Sequence, residues 1–274
     1  MLEIRQKQKL TIAFFLAVLL FVSMSAVFNL TLYNDFAVQT IGDNRSNENL
    51  KLLYTAPINN LSLTTTAFSG DVYIHSDGSI SPAGAPITTS DNFLYTLTDD
   101  ISGTLYIQRS NIVLNGAGHS ISFSLSRGIY MSGLTNVTIA NITVVGPGSD
   151  SYSNGLYITG SASQITVVNS SFHSCSNGIY SASTASNLTV VNSSVVQSLT
   201  GVFLASSNNN ITNNIFTDTR SGVYLSFSVN STVKSNTFVN SGLFVLNSRS
   251  NYVTDNTVNG KPLVYILKAH LTLL

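Results

Sequence analysis

From about residue 105 onward the chain alternates between two kinds of stretch. Short runs of Val, Ile, Leu, Thr and Phe, such as Ile165-Thr166-Val167-Val168 and Leu188-Thr189-Val190-Val191, stand between clusters of Ser, Asn and Gly. Runs of that composition between turn-forming residues read as β-strands. Apolar residues at helical spacing are missing from this part of the chain. The runs also repeat a phrase of glycine, aliphatic and aromatic. It occurs as Gly128-Ile129-Tyr130, Gly155-Leu156-Tyr157, Gly178-Ile179-Tyr180, Gly201-Val202-Phe203, Gly222-Val223-Tyr224 and Gly242-Leu243-Phe244. The steps between the glycines are 27, 23, 23, 21 and 20 residues. A period in the twenties marks a solenoid.

A repeat of that length without a helix holds two or three short strands and their turns, which is one coil of a parallel β-helix. Coils stack about 4.8 Å apart, so equivalent residues form ladders. Side chains alternate along a strand. The residues one past each glycine (Ile129, Leu156, Ile179, Val202, Val223, Leu243) therefore share the interior. Met131, Ile158, Leu204, Leu225 and Val245, three past it, join them, and Ser181 is the exception. Tyr130, Tyr157, Tyr180, Phe203, Tyr224 and Phe244 then face outward as a stripe. An Asn follows each glycine by 13 or 14 residues: Asn141, Asn169, Asn192, Asn214, Asn236 and Asn256. Asn suits a turn because it tolerates a left-handed backbone. In a stack it also bonds the Asn above and below. The sequence reads these six as one structural column.

Charged residues make up only 9% of the chain, against about a quarter in an average soluble domain. The net charge is zero, which argues against a nucleic-acid partner, since a phosphate backbone calls for a basic face. Cys175 is the only cysteine, so no internal disulfide forms.

The N-terminal part differs. Residues 1–9 form a basic tail, with Arg5, Lys7 and Lys9. An uncharged run from Leu10 to Phe28 follows, just long enough to span a bilayer. Positive charge ahead of it places the tail in the cytoplasm and the rest outside. Ser23, Ser25 and Ala26 are small enough for a cleavage site, so the run is a membrane anchor or a cleaved signal. The protein is then expected at the cell surface or secreted. Residues 29–68 read as a polar stalk, and residues 69–126 as an atypical cap with the first coils.

The lead-in carries recognisable phrases. They are Val72-Tyr73-Ile74-His75-Ser76-Asp77-Gly78-Ser79-Ile80, Ala85-Pro86-Ile87, Tyr95-Thr96-Leu97-Thr98-Asp99 and Asn111 to His119. With Asn256 to Tyr265, this resembles archaeal cell-surface right-handed parallel β-helix proteins of the NosD-like, or periplasmic copper-binding, group. The resemblance spans roughly residues 70–265. It implies an all-β, single-stranded right-handed parallel β-helix and a surface or polysaccharide role. No metal motif of that group maps onto this chain, and no cofactor is expected. Residues 127–265 form the repeated coils. In the resembling proteins further coils follow, so residues 266–274 read as a truncated end. A fragment without independent function is therefore one reading of the chain.

Candidate chemistry is sparse. His173 and Cys175 are two apart and would share a strand face, as a soft-metal pair does, but a structural site needs four ligands. Glycoside hydrolysis usually needs two carboxylates, and the coils offer only Asp150, Asp218 and Asp255. Asp218 with Arg220 reads as a surface turn pair, and as the weak candidate for a polysaccharide-processing enzyme. The aromatic stripe reads either as stacking that stiffens the sheet or as a face for a glycan or a surface protein. Asn-x-Ser/Thr triplets occur throughout. Asn44 and Asn60 in the stalk are the better acceptors, and those in the Asn column are expected to be inaccessible.

Overall fold

The computed structural model describes residues 67–149 and 152–266. The expected membrane or signal helix, Asn44, Asn60 and residues 267–274 lie outside them. Among the described residues every helix-or-strand element is a strand. The strands form three parallel sheets that wind as one solenoid.

Sheet 1 carries Val72–Ile74, Leu105–Ile107, Arg127–Ser132, Asn154–Thr159, Asn177–Ser181, Thr200–Leu204, Ser221–Ser226 and Leu243–Leu246. Sheet 2 carries Leu94–Leu97, Ile112–Asn115, Thr135–Ala140, Ser163–Val168, Ser186–Val191, Asn210–Thr212, Thr232–Lys234 and Tyr252–Thr254. Sheet 3 runs from Phe68–Ser69 through Ser171–His173 to Thr257–Val258. Each coil visits sheets 1, 2 and 3 in turn. Short antiparallel strands close three sheet edges. Ile80–Ser81 lies on sheet 1, Ile87–Thr88 on sheet 2 and Lys261–Pro262 on sheet 3.

The interior follows the alternation. Ile129, Leu156, Ile179, Val202 and Val223 are fully buried, as are Met131, Leu204 and Leu225. Leu243 and Val245 in the last described coil are only partly covered. Ser181 proves to be no exception in place. It points inward and is buried, and its hydroxyl bonds Ser206 Oγ at 2.7 Å. A neighbouring hydroxyl lets a polar side chain occupy an apolar ladder.

The repeating glycine answers to close approach. At Gly222 a Cβ would lie 2.5 Å from the ring of Phe238, and at Gly155 it would lie 2.5 Å from the carbonyl oxygen of Gly178. Phe172, Phe216 and Phe238 point inward from sheet 3 and are fully buried. Their rings lie where a side chain at Gly155, Gly201 and Gly222 would be. Only hydrogen leaves room for ring and next coil together.

The single Asn column is corrected to two. Register across sheet 2 aligns Asn141, Asn169 and Asn192 with Asn213, Ser235 and Asp255. All six have positive φ, between 50° and 57°. Asn214, Asn236 and Asn256 stand one residue later, in line with Ser170 and Ser193, and are buried. There Asn214 Nδ2 donates to Asn236 Oδ1 at 3.1 Å, and Asn236 Nδ2 to Asn256 Oδ1 at 3.0 Å. The same oxygens accept the backbone N–H groups of Asn214 and Asn236. This amide ladder satisfies the polar groups of a buried turn. A second ladder, unread in the sequence, joins Asn209, Ser231 and Asn251 at the other margin of sheet 2.

Within residues 69–126 the segment around 75–93 covers the first coil. Leu105–Ile107, Ile112–Asn115 and Ser120–Ser122 are the strands of an ordinary coil. Phe68, assigned to the stalk, already pairs with Ile101 in sheet 3.

Candidate binding face

Sheet 1 turns one aromatic per coil outward. The ladder is longer than the glycine phrase indicates. Tyr73 and Tyr106 pair in register with Tyr130, which makes eight rungs from Tyr73 to Phe244. These two were missed because Val72-Tyr73-Ile74 and Leu105-Tyr106-Ile107 lack the glycine. The apolar-aromatic-apolar triplet alone was the usable signal.

The rings touch along the whole ladder. Tyr73 and Tyr106 stack at 4.8 Å between centroids, and Tyr180 and Phe203 at 5.0 Å. Tyr157 meets Tyr180, Phe203 meets Tyr224 and Tyr224 meets Phe244 edge to face, at 5.2, 4.8 and 4.6 Å. Both arrangements suit the ring quadrupole. Tyr130, Tyr157, Tyr180, Phe203 and Tyr224 are half-buried, and Phe244 is 48% exposed. Burial, and then the neighbouring Tyr157, push the Tyr180 hydroxyl above its ordinary pKa. It therefore stays neutral at physiological pH and both donates and accepts hydrogen bonds.

Arg127 is the only charged residue in the strands of sheet 1. Its guanidinium lies 4.6 Å from the ring centre of Tyr130 and 5.1 Å from that of Tyr157. That is cation–π geometry. Its Nε donates to Ser126 Oγ at 3.3 Å.

The other sequence candidates do not assemble. His173 and Cys175 are separated rather than on one face. His173 ends a sheet 3 strand facing outward, and its Nε2 shares a 2.7 Å hydrogen bond with Ser171 Oγ. Ser174 between them has φ 53°, and that turn carries Cys175 inside. Cys175 Sγ donates to the His173 carbonyl, and burial pushes its thiol up to about 12. A thiol held neutral is a poor metal ligand. Asp218 and Arg220 do not pair either. Asp218 lies in a left-handed turn and accepts the Asn240 amide at 2.9 Å. Buried Thr219 stands between the two exposed side chains.

Among the described residues, the one ion pair joins His119 Nδ1 to Asp100 Oδ1 at 3.7 Å. No three His, Cys, Asp or Glu side chains converge there. Every buried side-chain nitrogen and oxygen among them has a hydrogen-bond partner. What the arrangement offers is a continuous row of outward aromatic rings on sheet 1.

A protein-family model described as a right-handed β-helix region matches residues 103–258, more than half of the chain. Comparison with curated proteins and with solved structures found no match.

Proposed function

The chain belongs to the right-handed β-helix family, and from that premise we propose that it is a non-enzymatic binding module of the cell envelope. It lies outside the membrane, held by residues 10–28 or released after cleavage. The opening phrases of the solenoid resemble those of NosD-like surface β-helices, which supports a place at the cell envelope. The outward ladder of sheet 1 is the contact face, and an extended glycan is the ligand. The supporting observation is the unbroken run of eight rings from Tyr73 to Phe244 on one sheet. Six of the eight are tyrosines, which join an apolar body to a polar tip. Arg127 at the margin adds a forked donor. A surface protein laid along the ladder is the other reading, and it is favoured if the folded protein binds no glycan.

The test is binding to an array of surface glycans by the protein and by Tyr157→Ser/Tyr180→Ser/Tyr224→Ser. Circular dichroism checks that both fold. Each ring contributes about 0.5–1.5 kcal/mol, so the triple variant should bind at least about tenfold more weakly. A folded parent that binds no glycan rejects the glycan assignment. Equal binding by both proteins rejects the ladder as the contact face.

A further inference from the structure

Seven Asn-x-Ser/Thr triplets fall among the described residues, and all belong to sheet 2. Asn136, Asn187 and Asn230 stand at the entry to its strands, Asn210 lies in one, and Asn141, Asn169 and Asn192 stand at the exit. None lies on sheet 1 or on the turns from sheet 3 to sheet 1. All seven asparagines are exposed. Those in the Asn column were expected to be inaccessible. The two-column register reverses this, because the buried Asn214, Asn236 and Asn256 are not followed by the triplet.

The coil itself generates the triplet. A left-handed turn Asn is followed by an inward residue and then an outward hydroxyl. Asn169, buried Ser170 and part-exposed Ser171 show this order, as do Asn192, Ser193 and Ser194. The motif count therefore discriminates nothing, whereas the state of each amide does. Asn136 and Asn141 donate to Asn111 and Asn115 of the previous coil, each at 3.0 Å. Asn187 donates to Ser186, and the Asn210 amide oxygen accepts from Thr212. The side-chain amides of Asn169, Asn192 and Asn230 make no hydrogen bond among the described residues.

We propose that Asn169, Asn192 and Asn230 carry N-linked glycans. The inference rests on the location outside the membrane proposed above. The co-reactant is a lipid-linked oligosaccharide phosphate. The amide Nδ2 forms a bond to the sugar C1, and the C1–O bond to phosphate breaks. The lipid phosphate leaves with the electron pair, and the nitrogen gives one proton to solvent. Glycans at Asn169 and Asn192 would project from the turn between sheets 2 and 3, away from the aromatic ladder, and that at Asn230 from the turn between sheets 1 and 2.

The experiment is glycopeptide mass spectrometry on the protein purified from its native membrane or secreted fraction. Peptides containing Asn169, Asn192 and Asn230 should carry sugar mass increments. All three at their unmodified mass would overturn the proposal. Ser171→Ala, Ser194→Ala and Thr232→Ala each keep the turn asparagine. Each should return its own peptide to the unmodified mass, with the far-UV circular dichroism of a folded β-protein retained. An increment that persists in these variants also overturns it. Glycopeptides without glycan binding would remove the binding reading and leave this one. Binding by an unmodified protein would do the reverse.

Discussion

The seventh and eighth coils use nearly the same words and bury them differently. Val223, Leu225, Val233 and Phe238 in the seventh coil are fully buried. Their successors Leu243, Val245, Val253 and Val258 are only partly covered, and Phe244 is 48% exposed. The phrase Gly-aliphatic-aromatic is intact in both. A coil of this kind does not make its own core, because its inward residues are covered largely by the coil on either side. The first described coil shows the other solution. Val72, Ile74, Tyr95, Leu97 and Ile101 are at most 1% exposed. The segment around 75–93 covers them, with the Tyr95 hydroxyl donating to the Gly78 carbonyl at 2.9 Å.

The strongest way to break this comparison is to empty the same ladder at two heights. Phe216→Ala removes a fully buried ring between two coils and should cost about 3–5 kcal/mol. Val258→Ala, partly covered, should cost less than about 1 kcal/mol. Urea unfolding of both variants reads the difference. Comparable losses would mean that the last coil is as well packed as the middle.

The glycines provide the second contrast. Gly222→Ala places a methyl 2.5 Å from the Phe238 ring, an overpacking that should cost about 1–3 kcal/mol. Gly242 has nothing within 4 Å of the same atom, so Gly242→Ala should stay within about 0.5 kcal/mol. Thermal unfolding of the pair decides whether the repeated glycine is a packing device.

Removal of one rung from the amide ladder comes next. Asn236→Ala leaves the Ile211 carbonyl and the Asn256 side chain short of a donor and the Asn214 N–H short of an acceptor. It should cost about 1–3 kcal/mol by chemical unfolding.

The smallest effect is a pH dependence of the cap. Asp91 accepts the N–H groups of Leu94 and Phe93, and this holds its carboxyl below the ordinary range. Its folded pKa is depressed, so its contribution is complete above the unfolded value. It is lost as pH falls through the folded value. The protection factors of the Phe93 and Leu94 amides, corrected for the intrinsic pH dependence of exchange, should therefore fall in acid, while those in the middle coils do not. A uniform fall would show that the cap opens only with the whole solenoid.

Much of this was legible in the residues. The alternation in Ile165–Val168 and Leu188–Val191 and the glycine phrase gave the strands, the period and the inward face. The stripe from Tyr130 to Phe244 followed from the same alternation. Tyr73 and Tyr106 were hidden, because their coil and the cap share no glycine with the others. The shared strand face expected for His173 and Cys175 is broken by a left-handed Ser174, which ends the strand alternation between them.

By itself, the sequence determined that the described chain is a stack of short strands with small turns, since alternation and period are local properties. The tertiary structure decided which asparagine enters the core, because Asn213 and Asn214 are indistinguishable until hydrogen bonds to the neighbouring coils fix the register. It also decided why each glycine is required. The atom that excludes a side chain at Gly222 belongs to Phe238, sixteen residues further along the chain, and only the winding of the coil brings the two together.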